Sequence, residues 1–348
     1  MRQKTKLTKS ALLFTQKLPS RQQFGPNSLL LYDRRLSTNR DFKSWAQEFN
    51  YKIPLTAGEK LKSLEAFTAV LNKITKLNIP QTTKLTFVAA GGGSVGDFTG
   101  FLASVYLRGR PLVLLPSTWL AAVDSAHGGK NGLNLGGAKN QIGTFHLPLQ
   151  TVVCSELLSS QPRQRLAESY GEMLKIAILA DKKLFFKLLD IWDEPAPEHL
   201  VIQQLPHMIA LKNKIVQKDP MEQNGHRRLL NLGHTVGHLI ESQTSMAHGH
   251  AVALGLHFSA RWSYQRGWLS ESDYISIAVA VENLGLKLRD SLVNIPASEL
   301  ARLLARDKKI TSEETIDFVF IKKIGSCFRQ KVKVSEIVSE IQRQLAEG

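Results

Sequence analysis

The junction around residue 91 constrains this chain most. The apolar run Lys84-Leu85-Thr86-Phe87-Val88-Ala89-Ala90 feeds directly into Gly91-Gly92-Gly93, and Ser94-Val95-Gly96-Asp97 then opens a helical pattern. A strand that ends on glycines before a helix lets backbone approach a pyrophosphate closely. The helix start adds free N–H groups and the positive end of its dipole. The spacing is not G-x-G-x-x-G, and a simple tight turn would use the same residues, so the surroundings must decide. Ser28–Tyr32, Leu112–Leu115 and Thr151–Cys154 read as further strands; Leu61 to Lys76 and about Asp97 to Tyr106 read as helices. Strands alternating with helices imply a parallel, doubly wound sheet.

Beyond about Leu158 the pattern turns helical: Arg163 to Ala180, Leu200 to Lys218, Arg227 to Ser242, His250 to Arg266, Ser270 to Leu284 and Ser335 to Leu345, with few strand-like segments. The expected architecture is an α/β nucleotide-binding domain with a Rossmann-like parallel sheet over residues 1–157, then a mainly α-helical domain over 158–348. At 348 residues the chain can fill two cores. A ligand is expected between the domains, at the carboxyl edge of the sheet.

Composition narrows the function. The chain is 43% hydrophobic and 22% charged, which fits a globular protein. No apolar run is long enough to span a bilayer, and Ala11-Leu12-Leu13-Phe14 is too short for a signal-peptide core. Cys154 and Cys327 are expected as free thiols in a cytoplasmic protein. The net charge of +15 suits nucleic acid, an anionic membrane or a small phosphorylated substrate. The excess is scattered and lacks a basic stripe interleaved with aromatics. The expected partner is therefore a small anion, with no nucleic acid and no membrane.

Three constellations carry chemistry. Arg227, Asn231, His234 and His238 are spaced by four, three and four, which on one helix places them on one face. Such a stripe faces either a cleft holding an anion or open solvent. His234 and His238 have the spacing of two zinc ligands, but Thr235 stands where a zinc protease needs its glutamate. One helix histidine, one from His248 or His250 and a carboxylate would make a His₂Glu site. Glu172 is the carboxylate candidate, and with Lys175 three residues on it could equally be an exposed ion pair. Last, Asp124-Ser125-Ala126-His127-Gly128-Gly129-Lys130, continuing to Gly136-Gly137-Ala138-Lys139-Asn140, reads as a glycine-rich loop. Its lysines suit a phosphate or carboxylate.

These stretches closely resemble the 3-dehydroquinate synthase family. The resemblance is carried by Gly91 through Asp97, Tyr106-Leu107-Arg108-Gly109, Pro116-Ser117-Thr118, Val123-Asp124-Ser125, Gly128-Gly129-Lys130 and Lys139-Asn140. It continues through Gly171-Glu172-Met173-Leu174-Lys175, Leu230 through His238, and Asp307-Lys308-Lys309. It spans about residues 54 to 320.

The resemblance implies a zinc site (zinc, or cobalt in its place) on Glu172, His234 and His248. It implies NAD held by Glu59, Lys62, Gly91, Gly92, Gly93, Asp97, Ser117 and Thr118, with Asp124, Lys130 and Lys139 also at the cofactor. Asp124, Lys130, Lys139, Asn140, Lys175, Lys212, Arg227, Asn231, His238 and Lys308 would surround the substrate, with Lys175, His238, Asp124 and Lys130 at the chemistry. Arg108 would reach a phosphate in the partner subunit of a homodimer. The implied reaction is a phosphate-eliminating lyase step of the shikimate pathway, in aromatic amino-acid biosynthesis. It turns 3-deoxy-arabino-heptulosonate 7-phosphate into 3-dehydroquinate by NAD-dependent oxidation, phosphate loss, re-reduction and aldol closure.

Four positions depart from the family pattern. His248-Gly249-His250 stands for His-Gly-Glu, leaving both histidines as candidates for the third ligand. Asp33-Arg34-Arg35 lacks an asparagine often found against the cofactor ribose, Gly171 replaces alanine, and Ala138 replaces a loop glycine. The competing readings are another sugar-phosphate cyclase of this fold, a polyol-phosphate dehydrogenase, and a non-catalytic or nucleic-acid-binding descendant.

Overall fold

The computed structural model describes residues 10–80, 84–292, 295–306 and 315–347. The chain forms two compact units, one ending at Pro162 and one beginning at Arg163.

The first unit is built on strands β1 (Ala11–Thr15), β2 (Ser28–Asp33), β3 (Tyr51–Leu55), β4 (Thr86–Gly91), β5 (Leu112–Pro116), β6 (Lys130–Leu135), β7 (Ala138–Phe145) and β8 (Gln150–Cys154). Helices α1 (Arg40–Gln47), α2 (Leu64–Lys76), α3 (Gly93–Val105) and α4 (Ser155–Ser159) accompany them. Six strands form one parallel sheet in the order β1-β8-β5-β4-β2-β3. Strands β2 and β5 are buried along their whole length. Parallel sheets covered on both faces demand such continuous apolar runs. The order reverses direction between β2 and β4, where open α/β sheets bind ligands beyond their carboxyl ends. The parallel sheet expected from sequence is therefore present, with β1 and β3 as its edges.

Two expectations for this unit are corrected. Residues 130–145, read as a glycine-rich loop, are the antiparallel hairpin β6–β7. Gly136 and Gly137 have φ of 58° and 77°, and a two-residue turn with both central φ values positive matches the twist of the strands it joins. Helix α3 opens at Gly93, a full turn before the expected start at Asp97.

The second unit contains α5 (Arg163–Ala180), α6 (Lys182–Trp192), α7 (Glu198–Lys218), α8 (His234–Gln243), α9 (His248–Gln265), α10 (Glu271–Glu282), α11 (Arg289–Leu292), α12 (Ala297–Arg306) and α13 (Val334–Glu347). It is mainly helical, but it also carries the antiparallel pair β9 (Thr315–Lys323) and β10 (Ser326–Lys333). Phe318 and Phe320 of β9 pack with Phe258 and Trp262 of α9 and with Ile337 and Ile341 of α13 in one core.

The expected helix from Arg227 to Ser242 is two pieces. A 3₁₀ segment covers His226–Asn231, and α8 starts at His234. Gly233 between them has φ 77°, a left-handed conformation that interrupts the helix. Arg227 and Asn231 thus do not share a helical face with His234 and His238. The 3.6-residue spacing that suggested one stripe runs across a break.

Candidate functional site

In the first unit, the carboxyl ends of β4 and β5 frame a small pocket lined by Gly91, Gly92, Gly96, Leu114, Pro116, Ala121 and Ser125. Gly92 caps α3 with no side-chain hydrogen bond, so the first N–H groups of the helix stay available. A Cβ at Gly92 would stand 3.2 Å from Thr118 Cγ2, and one at Gly93 3.0 Å from Ser125 Oγ. The glycines keep open a space that side chains would fill, beside a helix start suited to phosphate. These residues fit a dinucleotide. Ser117 is buried, with its N–H on Gly91 O at 2.9 Å, while Thr118 Oγ1 accepts from Ala121 N at 3.2 Å. Asp124 lies on a π-helical turn, Ala121–Ser125, a wide turn that often marks functional positions.

A polar chain links three separate segments beside this pocket. Lys62 Nζ donates to Asp97 Oδ2 at 2.7 Å and to Asn140 Oδ1 at 2.6 Å. Asn140 N donates to Asn134 Oδ1 at 2.9 Å, and Asn134 Nδ2 to Glu59 Oε2 at 2.8 Å. Burial pushes the Asp97 carboxyl upward, against the pull of Lys62 downward. Glu59, Lys62, Asp97 and Asn140 are thus brought together, with Asn134 as a member that sequence reasoning missed. Lys130 and Lys139 are exposed on the hairpin, and Arg108 is exposed on a turn where Leu107 and Arg108 both have positive φ.

In the second unit the site is made of side chains. Glu172 is fully buried on α5, and Lys175, one turn on and also buried, pairs with its Oε2. Glu172 Oε1 lies 3.2 Å from His234 Nε2 and 3.2 Å from His248 Nε2. Burial raises the Glu172 carboxyl, but Lys175 and His234 outweigh it and hold the group well below the usual carboxylate range. His234 is pulled down to about 4, by burial first and then by Lys175. Burial also lowers His248, but bonds to Glu172 and Glu241 prevail and lift it to about 10.

Tautomers test whether a metal fits. Leu232 O can only accept, so His234 Nδ1, 3.1 Å away, must carry the proton. The neutral ring then turns a lone pair from Nε2 toward an ionised carboxylate oxygen. Two acceptors facing each other at 3.2 Å are reconciled by a cation between them. Ligands at ~2.0–2.1 Å around a tetrahedral zinc ion stand ~3.3 Å apart. Glu172, His234 and His248 fit such an ion. His250 stays outside: its Nε2 is buried with no hydrogen-bond partner, and its ring lies near Ala167 and Glu168.

Each of these three residues sits beside a glycine at a helix crossing. A Cβ at Gly171 would collide with Gly249 O, one at Gly249 with Glu168 O, and one at Gly233 would come within 2.9 Å of Val252 O. Backbone packed this closely fixes where the side chains start.

Of the other residues expected at the substrate, Lys212 and Arg227 are buried and Asn231 is half-buried. His238 stacks edge-on to His234, ring centres 5.2 Å apart. Arg227 owes its place to Asp219, which sequence reasoning missed. The Asp219 carboxylate accepts from the N–H of Gln223 at 2.8 Å, Asn224 at 3.2 Å and Arg227 at 3.3 Å. Burial would raise its pKa, but these backbone donors hold it below the usual range. Arg227 Nη1 then donates to Pro220 O at 2.9 Å. The missed signal was an aspartate just after α7, ahead of Asn224-Gly225. Lys308 lies outside the described residues.

Two family models match the chain: one described as 3-dehydroquinate synthase N-terminal, over residues 52–168, and one as 3-dehydroquinate synthase C-terminal, over residues 169–310. The chain belongs to the 3-dehydroquinate synthase family. A 3-dehydroquinate synthase of Opitutus terrae is 35% identical over 305 residues, 84% of this chain and 81% of that one. That of Alkaliphilus metalliredigens is 35% identical over 263 residues, 74% and 72% of the two chains. Among solved structures, the 2-epi-5-epi-valiolone synthase of Streptomyces hygroscopicus superposes with a TM-score of 0.82 at 21% identity, covering 98% of this chain and 97% of that one. A 2-deoxy-scyllo-inosose synthase gives 0.78 at 21% identity over 95% and 96%. At these identities the structures establish the shared fold of the family. No helix among the described residues is long and apolar enough to cross a membrane.

Proposed function

We infer that the protein is a 3-dehydroquinate synthase, a lyase converting 3-deoxy-arabino-heptulosonate 7-phosphate into 3-dehydroquinate and phosphate in the cytoplasmic shikimate pathway. One observation carries the reading. A buried carboxylate, Glu172, meets one imidazole nitrogen from each of two histidines, with Lys175 on its other oxygen, in a chain that matches this family along both halves. Relatives at 33–35% identity bear this name, which favours it over the other cyclases matched at 21%.

When bound, a zinc or cobalt ion on Glu172, His234 and His248 supplies polarisation of a substrate hydroxyl, and NAD supplies reversible hydride removal. The chain's own groups do the rest. Gly91–Gly93 and the uncapped start of α3 take the pyrophosphate, with Ser117 and Thr118 behind them and Lys62, Asp97 and Glu59 at the rim. Lys175 keeps Glu172 ionised. Lys212, Arg227 and Lys308 supply cationic groups for the substrate's carboxylate and phosphate, joined by Lys130, Lys139 and Asn140 from the hairpin. Asn231, His238 and Asp124 offer hydrogen bonds to substrate hydroxyls. Arg108, on its exposed turn, serves a phosphate in the partner of a homodimer. Anchoring both ends of one substrate through every step is the main contribution of these residues.

The test is phosphate release from the heptulosonate phosphate. Release is expected only with NAD present and to stop with a chelator. Full activity in a metal-free preparation, or equal activity on a phosphorylated ketose lacking the carboxylate, would overturn the reading.

A further inference from the structure

We propose that Glu241 is a positioning residue for the metal centre: it fixes the tautomer and direction of His248 and thereby sets how tightly the ion is held. The inference rests on the metal-dependent reading above. The His248 ring lies between two carboxylates, with Nδ1 3.0 Å from Glu241 Oε2 and Nε2 3.2 Å from Glu172 Oε1. A carboxylate that accepts from Nδ1–H leaves Nε2 as the ligating nitrogen and aims it at Glu172. This is the carboxylate–histidine–metal arrangement in which an outer partner tunes a ligand.

The geometry of α8 makes the role specific. Glu241 follows His234 by seven residues, two turns along the same helix face. Helix α8 therefore presents one ligand directly and steadies the other, which begins α9. The two histidines differ in their outer partners. His234 Nδ1 bonds a backbone carbonyl, Leu232 O, which no substitution removes, whereas His248 depends on a side chain.

His238, Glu241 and His248 also lie close enough to hold an ion of their own. Bonding argues for the supporting role. Once Nδ1 of His248 donates a proton to Glu241 it has no lone pair for a second ion, and Nε2 is already turned to Glu172.

The experiment uses the full chain, stripped of metal and titrated with zinc against a chromophoric chelator, alongside Glu241→Ala and Glu241→Gln. Thermal midpoints of the metal-free forms separate lost folding from lost affinity. Wild type is expected to bind one zinc per chain, and Glu241→Ala to bind it about 10–100-fold more weakly. Glu241→Gln should fall between, because its amide oxygen still accepts from Nδ1–H. Cobalt(II) in place of zinc should show an altered visible spectrum in Glu241→Ala. If wild type takes up no stoichiometric ion, the metal-dependent reading itself fails. If wild type binds one ion and a folded Glu241→Ala binds it equally well, this inference alone fails. It also fails if wild type binds two ions and Glu241→Ala loses only the second, since Glu241 would then be a ligand.

Discussion

The candidate sites of the two units are built from different materials. In the first unit the proposed cofactor site is mostly backbone, a glycine run and a helix start without a side-chain cap, beside a hairpin whose polar side chains are largely exposed. In the second, buried side chains carry it, with Glu172 at 0% exposure and Lys175 at 2%. Backbone N–H groups are present whatever the side chains do, so damage to the first site should be graded. Buried charges are tolerable only in matched sets, so damage to the second should be abrupt.

Glu172→Ala gives the sharpest form of that contrast. It removes a proposed ligand and the carboxylate paired with the buried Lys175 ammonium. Bound zinc and phosphate release should both vanish, and the metal-free protein should lose about 3–5 kcal/mol of stability in denaturant unfolding. Adding Lys175→Met should restore much of the stability but none of the zinc. If the single variant is as stable as wild type, the buried pair is not the constraint that distinguishes this unit.

Gly249→Ala tests the packing beneath the ligands. Its new Cβ would collide with Glu168 O, so α5 and α9 must separate, carrying Glu172 and His248 with them. A destabilisation of about 1–3 kcal/mol is expected, together with weaker zinc binding. An unchanged zinc affinity would show that the centre tolerates movement of its helices.

The sequence exposed these two regions unequally, for physical reasons. The strand-to-glycine junction was legible because a parallel sheet forces apolar runs and a phosphate turn forces small residues. Glu172 and the histidines at 234, 238, 248 and 250 stood out as types with metal-binding chemistry; the family resemblance singled out Glu172, His234 and His248, and the fold brings those three together. The break at Gly233 was hidden, since periodicity continues through a residue whose left-handed φ is a tertiary outcome. Gly136-Gly137 was read as part of a glycine-rich loop when it is the turn of a hairpin. Asp219 and Glu241 escaped notice because each acts through another residue, and a supporting carboxylate has no motif of its own.

Lys62→Ala probes the first unit at a buried charge. Losing its bonds to Asp97 and Asn140 should weaken NAD binding, measured by titration, by about 10-fold, as for a charge-assisted hydrogen bond of about 1.5 kcal/mol. Zinc affinity should not change. Burial already raises the Asp97 carboxyl, and removing Lys62 raises it further. A group whose folded pKa exceeds its unfolded one costs stability above the unfolded value, and that cost fades as pH falls. The stability deficit of Lys62→Ala should therefore narrow as the medium is acidified. A deficit that widens would reverse the assignment of charge at Asp97.

The smallest effect is expected where exposure is greatest. Arg35 holds Asp33 through a bidentate contact at the carboxyl end of β2, beside the point where strand order reverses, yet its side chain is 72% exposed. Arg35→Ala should cost less than about 1 kcal/mol of stability, because water screens the pair. It also releases Asp33 Oδ2, whose position suits a ribose hydroxyl, while Oδ1 keeps the backbone N–H of residue 35. NAD affinity should therefore hold steady or rise slightly while stability falls slightly, and the two readouts part company. If NAD binding instead drops tenfold or more, the guanidinium itself touches the cofactor, and the first unit depends on a side chain as heavily as the second depends on Glu172.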